Sequence, residues 1–530
     1  MKKMKKILMV LMLVFALALS ACSSTEQGNT PIDDESGTST PVETETKELV
    51  FGSLGSFYNS SWDPAVGWDG WAIESIGVGE TLFRLDESYQ AIPWLAESAT
   101  QQDSTTWVVT LRDDVKFHNG VNMTADAVKK CFERTMSASD RWAEVIPFSS
   151  LEADGQTLTI RLDRPAPNLM NDLCDPLWLV YDADGSEDYA AETFYTGPYI
   201  PVSFSPNDEI VVKKNENYWG DEPQLDRAVL KTISDVDTLT MAFQNGEVDV
   251  VVPIPDESVP LFEDDSNAVI DMRTSARVQM FRFNMDSPVM QDINLRNAIS
   301  YCIDREGYST TIAHGTVEPS YGVFPTSLSF GGTDGLDLTV NRFDVDAAKK
   351  LLEDAGYQDT DGNGVLEKNG QPVEIKMIAM SSQTGQVQLC EVLQNQLSQI
   401  GIKVNLEVLE KISDARSSGQ FDISCESYSM AGTGTAQSFI TQMFTTNGSS
   451  NFGHYSNEQV DKLVEELSNL EDTTGQDDLI KQINQYIVDD CSYIFFAHKK
   501  FAGMYNSETV EYYWSQPSEY YILDSSTAAR

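Results

Sequence analysis

Basic residues are scarce in this chain. Its 530 residues hold 36 Lys and Arg against 82 Asp and Glu, a formal net charge of −46. A surface that acidic repels phosphate backbones and anionic lipid headgroups, which argues against nucleic acid as a partner. Histidine is scarcer. His118, His314, His454 and His498 are the only four, and no two form an HxH or HExxH pair, so helical zinc-hydrolase chemistry has no ligands at the spacing it needs. GxSxG and GxxxxGK[ST] are absent as well, which leaves acyl transfer and nucleotide hydrolysis without visible machinery. Acids are too abundant for any one pair to mark a glycosidase, so an extracellular hydrolase stands only as a distant alternative. Nothing in the sequence calls for a cofactor.

What is present begins with Lys2, Lys3, Lys5 and Lys6 ahead of an apolar run from Ile7 to Ala21. That run reaches about 22 Å at 1.5 Å per residue, short for a membrane span and suited to a signal-peptide core. Small residues close it, and Leu19-Ser20-Ala21-Cys22 resembles the bacterial lipobox, in which the chain is cut before the cysteine and the sulfur takes a diacylglycerol. The resemblance implies a signal peptide over residues 1–21 and a lipid on Cys22 that anchors the mature chain to the outer face of the membrane. Without the signal peptide 32 basic residues face 82 acidic ones, a net charge of −50. Residues 22–47, rich in Ser, Thr, Gly, Pro and Glu, should form a disordered tether.

Six further cysteines, Cys131, Cys174, Cys302, Cys390, Cys425 and Cys491, form no CxxC and mostly sit among apolar residues. Buried thiols are expected rather than a metal site, with disulfides left open in an exported chain. Beyond the tether the pattern alternates between strand and helix. VEIKMIAM (373–380) has strand character, VQLCEVLQNQLSQI (387–400) has helical spacing, Gly401 stops it, and IKVNLEVL (402–409) alternates on one face. That predicts a βαβ unit with a right-handed crossover. A second is predicted from AVLKTI through VDTLTMAFQNG to EVDVVVPI (228–254), with Asp235 or Asp237 as cap and Gly246 as stop. The stretch Asp359 to Gly370, DTDGNGVLEKNG, matches an EF-hand loop at its first positions but has Gly370 where a bidentate Glu should stand. A turn rich in Asp and Gly needs no metal.

The larger pattern lies in seven blocks. PWLAESATQQDSTTWVVTLRDDVKFHNGVNMTADAVKKCFERTM (93–136) is followed by TGPYIPVSF (196–204), VKKNENYWGDEPQLD (212–226) and FQNGEVDVV (243–251). FNMDSPVMQDINLRNAISYCIDRE (283–306), DVDAAKKLLEDAGY (344–357) and NFGHYSNEQVDKLVEEL (451–467) complete the series. In this order they resemble the extracellular solute-binding proteins of family 5, the oligopeptide and nickel type, which are receptor components of ABC importers. The resemblance implies an α/β fold, periplasmic-binding-protein-like type II, with mixed sheets flanked by helices. Its two lobes close about a hinge, and the larger has two subdomains. Lobe I is expected over 48–275 and 493–530, with a subdomain at about 85–190, and lobe II over 276–492. A permease and its ATPase are the implied partners of a monomeric receptor.

Ligand class is approached through the same resemblance. Peptide receptors of this type commonly carry an aspartate that pairs with the peptide amine, yet SYSMAGTGTAQSF (427–439) contains no acid. The chain is more similar to the branch that imports nickel or another transition metal as a chelate, with an oligopeptide as the alternative. That likeness places Arg141 in SASDRWAE as a carboxylate-gripping residue, a task suited to the guanidinium fork. Trp68 and Trp71 in VGWDGWA and Tyr428 fall at aromatic pocket positions, and Trp142 is a candidate flank for the arginine. A second pocket arginine is missing, because Leu177 and Trp178 stand in its place. His454 arrives several residues after the position of a metal-binding histidine, and is the one candidate metal contact.

Overall fold

The computed structural model describes residues 46–55, 60–139, 141–338, 342–470, 473–513 and 516–530. Cys22, the signal peptide and all but the last two tether residues lie outside them.

Local sequence explains the helices. The Thr124 side chain accepts a hydrogen bond from the Ala127 amide at 3.2 Å and opens the helix Ala125–Ala138, with Asp126 in the first turn where the helix dipole favours an acid. Asp235 and Asp344 cap Val236–Gln244 and Val345–Asp354 in the same way, accepting from Thr238 and Ala347. Strands Glu374–Met380 and Lys403–Leu409 pair in parallel through the helix Thr384–Gln399, as the alternation predicts. The second unit differs. Arg227–Thr232 and Val250–Val251 are both parallel to Glu48–Ser53 but flank it on opposite sides. The N-terminal strand is inserted between them, a long-range pairing that no pattern within 228–254 reports.

Among the described residues these strands belong to one mixed sheet of eleven, ten on a single path and Val317–Pro319 paired off it with Tyr493–Asn506. Its path runs from Lys403–Leu409 and Glu374–Met380 through Ile423–Ser429, Ala268–Phe283 and Tyr493–Asn506. It continues through Val250–Val251, Glu48–Ser53, Arg227–Thr232 and Glu209–Lys214 to Tyr199–Ser205. Ala268–Phe283 and Tyr493–Asn506 are long antiparallel partners at its centre. Their register breaks between Thr274 and Arg277. Residues 268–274 therefore lie beside 500–506, whereas 277–283 lie between 493–499 and Ile423–Ser429. Ser275 and Ala276 thus sit where the sheet changes neighbours.

A separate antiparallel sheet, in the order Ala96–Asp103, Thr106–Leu111, Thr157–Leu162 and Phe148–Asp154, carries the helix Ala125–Ala138. Trp178 is buried against Phe132 and Phe148, with ring centroids at 5.2 and 4.9 Å. Leu177 beside it is equally buried, so this stretch serves the core.

All six cysteines are buried and unpaired. In the Asp359 to Gly370 loop, the Asp359 carboxylate accepts from the amides of Gly362, Asn363 and Gly364, so the turn is held by its own backbone. Among the described residues no group of three His, Cys, Asp or Glu is arranged to hold a metal, and no helix is long and apolar enough to cross a membrane.

Candidate functional site

Trp68 precedes the helix Asp69–Ser75 and is 68% exposed, unusual for an indole. One face is covered by Arg141, whose guanidinium carbon lies 4.3 Å from the ring centroid, a cation–π contact. Arg141 stands at the start of the short helix Trp142–Val145. Its two terminal nitrogens donate to Asp175 at 2.9 and 3.2 Å, a bidentate fork, while its buried Nε has no partner among the described residues. Asp175 also accepts the Leu177 amide at 2.9 Å, which fixes the carboxylate that holds the arginine. Trp71 lies on the same helix as Asp69, and its indole donates to the Glu519 carbonyl at 3.1 Å.

Glu519 is bound in turn by Arg277 at 2.7 and 2.8 Å, immediately after the register break. Burial pushes the Glu519 carboxyl up, but the Arg277 charge and hydrogen bonds overcome this and hold it below its ordinary value. Tyr89 ties the break to the same C-terminal segment. Its hydroxyl donates to the Pro517 carbonyl at 2.6 Å and accepts from the Ala276 amide at 2.9 Å.

A second set of contacts brings residues 433–435 against this wall. The Asn171 amide donates to both the Tyr89 and Thr433 carbonyls, at 3.1 and 2.7 Å. Gly434 has φ +80°, and a Cβ there would stand 2.0 Å from the Tyr89 carbonyl oxygen. Gly434→Ala is therefore expected to push the two segments apart, at a cost of about 1–3 kcal/mol in strain, and to weaken ligand binding roughly tenfold. Titration calorimetry checks this, and wild-type affinity in the variant contradicts it.

Beside these contacts lies a cavity of about 310 Å³ between residues 143–172 and 435–449. Asp172 lines it, and so does Thr435. Burial pushes the Asp172 carboxyl up to about 7, Asp175 adds to the rise, and Arg164 opposes it. A carboxyl with a folded pKa far above its unfolded value, near 3.9, contributes stability that is present below about pH 4 and lost as the pH rises through 7. Asp172→Asn is expected to flatten the decline of the urea midpoint between pH 4 and 7. An unaltered pH profile contradicts that expectation.

The other sequence candidates fall elsewhere. Tyr428 accepts a hydrogen bond from Arg416 and packs against Phe439, above the buried pair of Arg282 and Glu426. Trp142 is half-buried against the core. His454 is exposed, with its ring Nδ1 bonded to Asp286, and is not among the residues lining the cavity. Sequence reasoning does not single out Asp175, Arg277 and Glu519, which hold Arg141 and Trp71, or Asp172 and Arg164, which line the cavity. Asp175 carried a weak signal, an acid just before the stretch inspected for a second arginine.

A cavity of this size suits a small-molecule-binding protein; Arg164 and Asp172 line it, whereas Arg141, Trp68 and Trp71 are not among its lining residues. The chain belongs to the bacterial extracellular solute-binding proteins, family 5; the profile of that family's middle region matches residues 90–451. It is 25% identical over 453 residues to the nickel-binding protein NikA of Staphylococcus aureus, covering 85% of this chain and 89% of that one. It is also 25% identical over 524 residues to the oligopeptide-binding protein AppA of Bacillus subtilis, 94% of each chain. Its fold matches the crystal structure of Staphylococcus aureus NikA in complex with Ni(L-His)2 with a TM-score of 0.77 and 24% identity, over 91% of this chain and 100% of that one.

Proposed function

We propose that this chain is the substrate receptor of an ABC importer and that its ligand is nickel or another transition metal, carried as a complex with a small chelator. The observation that carries the proposal is Arg141. Its guanidinium, held on an indole and by two bonds to Asp175, offers a chelator carboxylate the remaining Nε donor, and the indole offers a flat wall for the chelator ring. The similarity to NikA supports the same assignment.

The receptor works by closure. Lobe I (48–275 and 493–530) and lobe II (276–492) hinge near Ser275, and ligand stabilises the closed form by its greater affinity for it. The closed form engages a permease, and a separate ATPase supplies the energy. A lipid on Cys22 and the 22–47 tether keep the monomeric receptor at the outer face of the membrane. Cells deleted for the chain are expected to lose uptake of radioactive nickel supplied with histidine, and Cys22→Ala is expected to release the protein into the medium. Uptake unchanged by the deletion contradicts the proposed role.

A further inference from the structure

The loop between the helices Gln437–Phe444 and Glu458–Asn469 borders the cavity with Asn447, Gly448 and Ser449. Asn447 is exposed, and its side-chain amide has no hydrogen-bond partner among the described residues. Gly448 follows it because nothing larger fits. A Cβ there would stand 2.3 Å from the Gln442 carbonyl oxygen and 2.8 Å from that of Thr441. The packing of the loop on its helix therefore makes an Asn–Gly pair obligatory. Asparagine is a thermolabile residue, and it is most so before glycine, whose missing Cβ leaves its backbone nitrogen unhindered.

Four other Asn–Gly pairs occur in the chain, and each is restrained. Asn119 donates to Asp182 at 2.8 Å and accepts from the Val121 amide at 3.1 Å. Asn363 donates to Asp361 at 3.0 Å and accepts from the Val365 amide at 2.7 Å. Asn245 closes the helix Val236–Gln244 with helical dihedrals, φ −85° and ψ −5°. Asn369, φ +54°, and Gly370, φ +74°, form the two-residue turn between the paired strands Glu367–Lys368 and Gln371–Pro372. At 447 the backbone is held by the bond from the Gly448 amide to the Thr445 carbonyl at 3.0 Å, but the side chain carries no such restraint.

We infer that Asn447 is a site of spontaneous deamidation, a modification that puts a carboxylate on the 435–449 wall of the cavity, which has no charged side chain among its described lining residues. The Gly448 nitrogen attacks the side-chain carbonyl carbon of Asn447 and gives up its proton. The new C–N bond closes a succinimide ring, and the side-chain nitrogen leaves with that proton as ammonia. Water then opens the ring at either carbonyl, giving aspartate or isoaspartate. Both add one negative charge to the wall that faces Asp172. Isoaspartate also lengthens the backbone where Gly448 lies against Gln442.

The test is to incubate the folded chain at mildly alkaline pH, digest it, and follow the five Asn–Gly peptides by mass spectrometry and by an isoaspartate-specific methyltransferase. The Asn447 peptide is expected to gain the mass of an amide-to-acid exchange about fivefold or more faster than the Asn119 and Asn363 peptides, the factor that one restraining hydrogen bond is worth. Asn447→Gln, which keeps the amide but requires a larger ring, should abolish the signal from that peptide. In urea the five pairs should react at similar rates, because only the fold distinguishes them. An Asn447 amide that outlasts those of Asn119 and Asn363 in the folded chain overturns the inference, as does a folded-state order that merely repeats the order in urea.

Discussion

Arg141→Ala is expected to weaken binding of the nickel–histidine complex by about 2 kcal/mol or more, roughly thirtyfold, with little change in the fold. The guanidinium is held on the Trp68 ring and by Asp175, so its orientation is set before ligand arrives. Binding a carboxylate there costs little side-chain entropy. Its Nε is buried and without a partner among the described residues, which on the proposed reading makes it the donor for the ligand. Arg141→Lys is expected to fail almost as badly, because an ammonium cannot bond Asp175 through two nitrogens and present a third. The alanine variant also leaves Asp175 without its cation, so its effect on affinity is compared with that of Arg141→Ala combined with Asp175→Asn. A variant that binds as tightly as wild type removes Arg141 from the site.

Glu426→Gln is expected to destabilise the chain by about 3–5 kcal/mol, read as a fall in the urea midpoint. Arg282 is fully buried and bonds the Glu426 carboxylate at 2.8 and 3.1 Å. Arg416 lies 3.5 Å from the same carboxylate oxygen. Two guanidiniums thus share one acid, and burial alone would disfavour the Arg282 charge, yet the proximity of Glu426 sustains it. Neutralising Glu426 leaves both cations uncompensated, one of them with no access to water. Replacing Arg282 and Glu426 together by methionines should cost less than Glu426→Gln, because no orphaned charge remains from that pair. A single-variant cost below about 1 kcal/mol contradicts a buried ion pair here. Tyr428 rests over this cluster, so the same variant reports whether the strand Ile423–Ser429 depends on it.

Elements set by local chemistry are legible in the sequence. Thr124, Asp235 and Asp344 open helices because capping is settled within the first turn. The order of strands is not legible in this way. Glu48–Ser53 separates Arg227–Thr232 from Val250–Val251, and the pairing that puts it there spans nearly two hundred residues. In the site, the family resemblance points to Arg141 and Trp68, and the structure brings them to 4.3 Å. Asp175 is missed because its neighbours Leu177 and Trp178 draw attention for what they lack. Asp172 is missed for a physical reason: its perturbation arises from burial, Asp175 and Arg164, none of which a local sequence pattern encodes. The contacts of Tyr428 and His454, an arginine cluster and an exposed carboxylate, are likewise made by residues distant in sequence that no local pattern reports.

The central claim, a receptor for a metal chelate, is tested most directly by calorimetric titration of the chain lacking residues 1–22. The titrants are nickel with histidine, each component alone, and a pool of short peptides. The account predicts heat only from nickel and histidine together, and its loss in Arg141→Ala. Heat from the peptide pool, with none from nickel and histidine, contradicts it.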